Sequence, residues 1–123
     1  AFAGPATGTA AVCHVDVPLA AMRAIGRAGG ATLNDVYLGA FAHAVHRLHW
    51  QGTGLIHPPL PVTMAMSTRA PGRAAAPGNA LVSVRLQLPC HRTTAAEALA
   101  AVVARTARVR DDRRRDVARL TLA

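Results

Sequence analysis

The chain has 123 residues and a mass of 12.8 kDa, the size of one ordinary domain, which excludes a multidomain assembly within it. Apolar residues make up 51% and charged residues 16%, a globular rather than disordered composition, but so many are alanine that a thin, helix-rich core is expected. The net charge of +8 comes from fourteen basic residues, all of them arginine, against six acidic ones. In so alanine-rich a chain this is weak evidence for an anionic partner.

In chain order, residues 1–9 are mostly Gly, Ala, Pro and Thr and read as a linker, so the domain proper is taken as 10–123. Cys13, Val15 and Val17 alternate with His14 and Asp16, the pattern of a half-buried strand over 11–17. Leu19, Met22 and Ile25 recur at helical spacing and predict a short amphipathic helix that stops at Gly29-Gly30. Thr32 and Asp35 form a capping-box pair that starts the next helix. Its expected apolar stripe is Leu38, Phe41, Val45 and Leu48, with His43, His46 and Arg47 off it, and it runs to about Trp50.

A Gly/Pro segment over 52–61 then breaks the chain. Val62, Met64 and Met66 alternate with Thr63, Ala65 and Ser67 in a second strand, with Arg69 at its end. Residues 70–79 are a connection rich in Pro, Gly and Ala. Val82, Val84, Leu86 and Leu88 form the buried side of a third strand closed by Pro89. Thr94 and Glu97 repeat the capping box ahead of a last helix carrying Leu99, Val102, Val103 and Thr106, a pattern that extends through Val117 and Leu120. The order strand, helix, helix, strand, strand, helix describes a layered α/β sheet with flanking helices.

Three constellations invite a chemical reading. His43, His46 and His49 lie on one helix, but His43 and His49 diverge by roughly 120° and no carboxylate follows at ligand spacing, so no metal site is expected. Between Arg105 and Arg119 seven arginines and three aspartates make a basic stretch. Asp111 and Arg115, like Asp116 and Arg119, fall at helical pair spacings, the mark of a salt-laced exposed face, and no specific nucleic-acid partner is expected. Cys13 and Cys90 are far apart and indicate neither a disulfide framework nor a four-ligand zinc site, which fits a reducing cytoplasmic compartment. Cys90 and His91 are sequence neighbours whose side chains point apart in extended chain, so they are not a nucleophile–base pair.

Two motifs point further. Ala31-Thr32-Leu33-Asn34-Asp35-Val36 opens a helix, and Gly78-Asn79-Ala80-Leu81-Val82-Ser83 leads a strand to Leu88-Pro89. Together with Met64-Ala65-Met66-Ser67-Thr68-Arg69, they resemble the second half of the bacterial wax ester synthase/diacylglycerol O-acyltransferases, over about residues 10–108. The resemblance implies half of a chloramphenicol-acetyltransferase-like fold, a carboxy-terminal subdomain of a longer protein. It also implies transfer of a fatty acyl group from acyl-CoA, as substrate rather than cofactor, to diacylglycerol or a long-chain alcohol. The partners would be an amino-terminal half and a lipid alcohol, with the protein cytoplasmic or peripheral at a membrane or lipid droplet. That family's general base sits in a His-His-x-x-x-Asp-Gly motif. None of His14, His43, His46, His49, His57 and His91 has an Asp four residues on, so no catalytic residue is assigned to this chain. A condensation-type acyltransferase piece and a non-catalytic basic binding domain are the alternatives.

By the same resemblance Asn34 and Asp35 support the active site, although a helix cap also explains Asp35. Gly78, Asn79 and Ser83 line the substrate channel, although Gly78-Asn79 also suits a plain turn. Arg69 pairs with the aspartate of the catalytic motif, where a planar guanidinium matches a carboxylate bidentately. Arg69→Ala in the complete protein is therefore expected to cost activity and about 3–5 kcal/mol of stability by stranding a buried carboxylate. Arg85→Ala is the control, with turnover and melting temperature the readouts.

Overall fold

The computed structural model describes Gly8 and residues 11–67 and 81–111. Three helices and two strands follow in the order α1 (Leu19–Gly29), α2 (Leu33–Thr53), β1 (Leu60–Ser67), β2 (Leu81–Leu88) and α3 (Ala95–Asp111). The architecture is mixed α/β, with a two-stranded antiparallel sheet. The expected linker over 1–9 lies outside the described residues except for Gly8, as do the connection 68–80 and the chain beyond Asp111.

The expected strand over 11–17 does not form: residues 11–18 have no regular structure, and Val12, Val15 and Val17 are all exposed. Alternation is only half of what a strand needs. The other half is a neighbouring strand and a core to receive the apolar side, and none is present here among the described residues.

Helix α1 ends where expected, with Gly30 in the left-handed region (φ 60°) as its C-cap. Helix α2 begins with the complete capping box: the Thr32 hydroxyl accepts from the Asp35 N–H at 3.2 Å, and the Asp35 carboxylate accepts from the Thr32 N–H at 2.9 Å. It continues to Thr53, one turn past the expected end, and stops on Gly54 at φ 67°. The second capping box also forms, with the Thr94 N–H donating to Glu97 and the Glu97 N–H to the Thr94 hydroxyl.

Strands β1 and β2 pair from Leu60↔Leu88 to Ser67↔Leu81. Leu60, Val62, Met64, Val84, Leu86 and Leu88 share the face turned to the helices. Thr63, Ala65, Ser83, Arg85 and Gln87 face outward and are exposed. Helices α2 and α3 cover the inner face, running antiparallel so that Asp35 meets Thr106 and His46 meets Cys90. The core lies between them: Leu38, Ala42, Val45, Leu86, Leu88, Cys90, Ala98 and Val102.

The buried side of α2 is rotated from the expected stripe. Leu38 and Val45 are inside, but Phe41 and Leu48 are exposed, and Gly39, Ala42 and His46 are buried instead. Small residues win because α3 approaches closely: a methyl group at Gly39 would lie 3.0 Å from the Leu99 Cα and 3.3 Å from its Cβ. Glycine costs a helix about 1 kcal/mol relative to alanine. At Gly39 that gain cannot be recovered, because backbone would have to move, and overpacking costs about 1–3 kcal/mol. Gly39→Ala should therefore lower the thermal midpoint. Gly52→Ala, in the same helix with nothing within 4 Å, should raise it, by about 0.5–1 kcal/mol of stability.

Candidate functional site

The Asn34–Asp35 pair opens α2, and its two side chains diverge. Asp35 is fully buried. Its Oδ2 accepts from the Thr32 N–H at 2.9 Å and from the Thr32 hydroxyl at 2.8 Å, while Oδ1 accepts from the Thr106 hydroxyl of α3 at 2.6 Å. Arg110, one turn further along α3, donates to Oδ2 at 3.3 Å. Burial pushes the Asp35 carboxyl toward the neutral form, but the hydrogen bonds from Thr106, from the Thr32 N–H and hydroxyl and from Arg110 outweigh it. Its pKa therefore lies below the ordinary value.

Asn34 points the other way, is exposed, and donates from Nδ2 to the Met64 sulfur of β1 at 2.7 Å. It stands at a groove of about 250 Å³ between α2 and β1, lined also by Tyr37, Leu38, Phe41, Val62 and Thr63. The lining is mostly apolar, and Tyr37 and Phe41 stack with ring centroids 6.4 Å apart and planes 5° from parallel. Such a surface takes a hydrocarbon chain or apolar side chains, with Asn34 offering one polar handle at the rim.

Ser83 lies on β2 in the outward face of the sheet, opposite Ala65. The hairpin therefore separates it from the groove beside Asn34. Arg69, Gly78 and Asn79 lie outside the described residues.

Two residues of the site were not singled out from sequence. Thr106 was placed on the apolar stripe of α3, and Arg110 was counted among exposed salt-laced arginines; both instead serve the Asp35 carboxylate. A hydroxyl within an apolar stripe, followed one turn later by a cation, was the available signal.

His46 and Cys90 are occupied structurally. His46 is buried, and its Nδ1–H donates to the Cys90 carbonyl at 3.2 Å, tying α2 to the turn after β2. Burial raises the Cys90 thiol pKa, which keeps it protonated and a poor nucleophile. No group of three or more His, Cys, Asp or Glu among the described residues could hold a metal ion. No helix among them is long and apolar enough to cross a membrane.

Two Mycobacterium tuberculosis proteins, one from each of two strains and both provisionally named diacylglycerol O-acyltransferases, are 35% identical to this chain over 75 residues. That stretch is 61% of the chain, and the match spans 15% of the length of those relatives. No family model matches the sequence, and no solved structure matches it. The similarity supports an acyltransferase-related function.

The buried carboxylate predicts an acid response. Because the folded pKa of Asp35 is depressed, its stabilisation is complete above the unfolded value of about 3.9 and is lost as pH falls through the folded pKa. Asp35→Asn should lower stability at pH 7 by about 2–4 kcal/mol, since Thr32, Thr106 and Arg110 lose their charged acceptor. The gap between wild type and variant should narrow below about pH 4 in denaturant titrations. A pH-independent gap would show that Asp35 is neutral in the folded protein.

Proposed function

We propose that this chain is part of an acyl-CoA-dependent O-acyltransferase of the diacylglycerol acyltransferase/wax ester synthase type, with a chloramphenicol-acetyltransferase-like fold when complete. The 35% identity to the two mycobacterial proteins carries the reading. The apolar groove beside Asn34 supports it, since a fatty acyl or alkyl chain needs such a wall.

In this reading residues 10–123 are the carboxy-terminal subdomain, and an amino-terminal half supplies the general base. That base takes the hydroxyl proton of the acceptor alcohol, the oxygen attacks the thioester carbonyl, and the tetrahedral intermediate expels the coenzyme A thiolate, which takes up the proton. This chain's residues position rather than react. Asn34 sits at the groove and Asp35 holds the helix that forms its wall. Arg69 braces the catalytic motif, and Gly78, Asn79 and Ser83 belong to the channel, Ser83 from the outward face of the hairpin. The enzyme works in the cytoplasm or peripherally at a membrane or lipid droplet, where its acceptor is found.

The test is complementation. The 123-residue protein alone should release no thiol from palmitoyl-CoA in the presence of diacylglycerol, because it lacks the base, a contribution of about 10²–10⁴-fold, and half of the channel. Addition of the amino-terminal half should restore release. Phe41→Asp, which puts a charge in the groove, should then reduce turnover with long acyl chains more than with acetyl-CoA. Turnover by the isolated chain, or none from the mixture, would overturn the proposal.

A further inference from the structure

A second cavity lies on the other flank of α2. It has a volume of about 440 Å³ and is lined by His43, His46, Arg47, Trp50 and Gln51 of the helix and by Thr93 of the turn before α3. From Asn34 to Arg47 is about 20 Å along the helix and about 140° around it, so the cavity is no extension of the acyl groove. Its lining differs as well. The groove is mostly hydrocarbon, whereas this cavity offers a guanidinium, an amide, a hydroxyl and a ladder of flat rings.

The ladder follows from the spacing. Residues 43, 46 and 50 fall on one strip of the helix, with His43 and His46 centroids 6.2 Å apart and His46 and Trp50 6.4 Å apart, the planes within 20° and 22° of parallel. Trp50 ends the ladder with 52% of its surface exposed. A large indole left half open at the end of a ring stack is a platform for one more ring.

Charge adds a second requirement. Arg47 is exposed, and no carboxylate among the described residues pairs with it. The nearby acid, Glu97, is engaged by Thr93 and Thr94 in the cap of α3. His43 Nδ1, buried beside the cavity, has no hydrogen-bond partner among the described residues. The site therefore presents a stacking face, hydrogen-bonding groups and one uncompensated cation, within a volume that suits a small organic ligand.

We propose that this cavity binds a nucleoside phosphate, with the base stacked on Trp50 and the phosphate held by Arg47. A bare anion would leave the indole unused, and a bare aromatic would leave the guanidinium unpaired. A planar base joined to a phosphate uses both. Gln51 supplies donor and acceptor groups for the edge of the base. The proposal does not rest on the acyl-transfer reading, since it is argued from Trp50 and Arg47 on the opposite flank of α2.

Trp50 is the only tryptophan of the chain, so its fluorescence reports the site directly. Adenosine monophosphate added to the 123-residue protein should quench the emission saturably. Adenosine alone and inorganic phosphate alone should each bind at least about tenfold more weakly. Arg47→Gln should weaken the nucleotide about tenfold or more. Trp50→Leu, followed by calorimetry, should weaken it about tenfold. Both positions are exposed, and unchanged helical circular dichroism checks that the variants remain folded. Arg23→Gln on α1 is the control and should bind as wild type does. Three results would overturn the assignment: no saturable quenching, equal affinity in Arg47→Gln, or inorganic phosphate as effective as the nucleotide. Loss of acyl transfer in the complementation assay leaves these outcomes unaffected, so the two proposals fail separately.

Discussion

The Asp35 carboxylate joins two tasks that most helices keep apart. It closes the capping box of α2, satisfying N–H and hydroxyl donors of Thr32, and it receives the Thr106 hydroxyl and the Arg110 guanidinium of α3. Local and tertiary structure therefore share one group. If the first turn of α2 frays, α3 loses its polar anchor; if α3 lifts away, the cap is left with an exposed carboxylate and less reason to hold. A buried charge is tolerated here because four donors surround it. With a core made largely of Ala, Val and Leu, few other contacts could replace that coupling.

This arrangement gives the Asn-Asp pair a division of labour. Asp35 turns inward and fixes the position of α2 on α3, while Asn34, one residue before it, turns outward to Met64 and the apolar groove. Successive helical residues differ by about 100° in direction, so one inward anchor determines where its neighbour points. The aspartate at the second position therefore acts mechanically, and the polar group that faces the groove comes from the first.

Much of the frame was legible in the sequence, because its signals are local. The capping boxes at Thr32/Asp35 and Thr94/Glu97, the glycine stop after α1 and the alternation in β1 and β2 depend on neighbours only a few residues away, and each is present in the fold. What escaped depends on distant parts of the chain. The exposed alternating segment around Val15 has no strand to pair with among the described residues. The buried face of α2 was set by the closeness of Leu99 to Gly39, which no pattern within α2 could reveal. Arg110 looked like one more solvent-facing arginine until α3 placed it beside a buried carboxylate. The groove beside Asn34 needed β1 brought against α2, and the Trp50 cavity needed the turn carrying Thr93, so neither could be found from one segment alone.

The position of the carboxylate clamp also bears on the order of folding. Asp35 and Thr106 are 71 residues apart, whereas Ser67 and Leu81 face each other across a far shorter stretch of chain. The longer closure costs about 1.4 kcal/mol more by the logarithmic dependence on loop length. Pairing the hairpin first removes part of that cost, because Leu60 opposite Leu88 brings the ends of α2 and α3 nearest the sheet together. The His46–Cys90 hydrogen bond can then form early, with helix docking spreading from it toward the far end. The Asp35 end would be the last to engage during folding and the first to part in a native-state fluctuation. Amide exchange should accordingly be fastest, within the paired helices, around the first turn of α2 and the described end of α3.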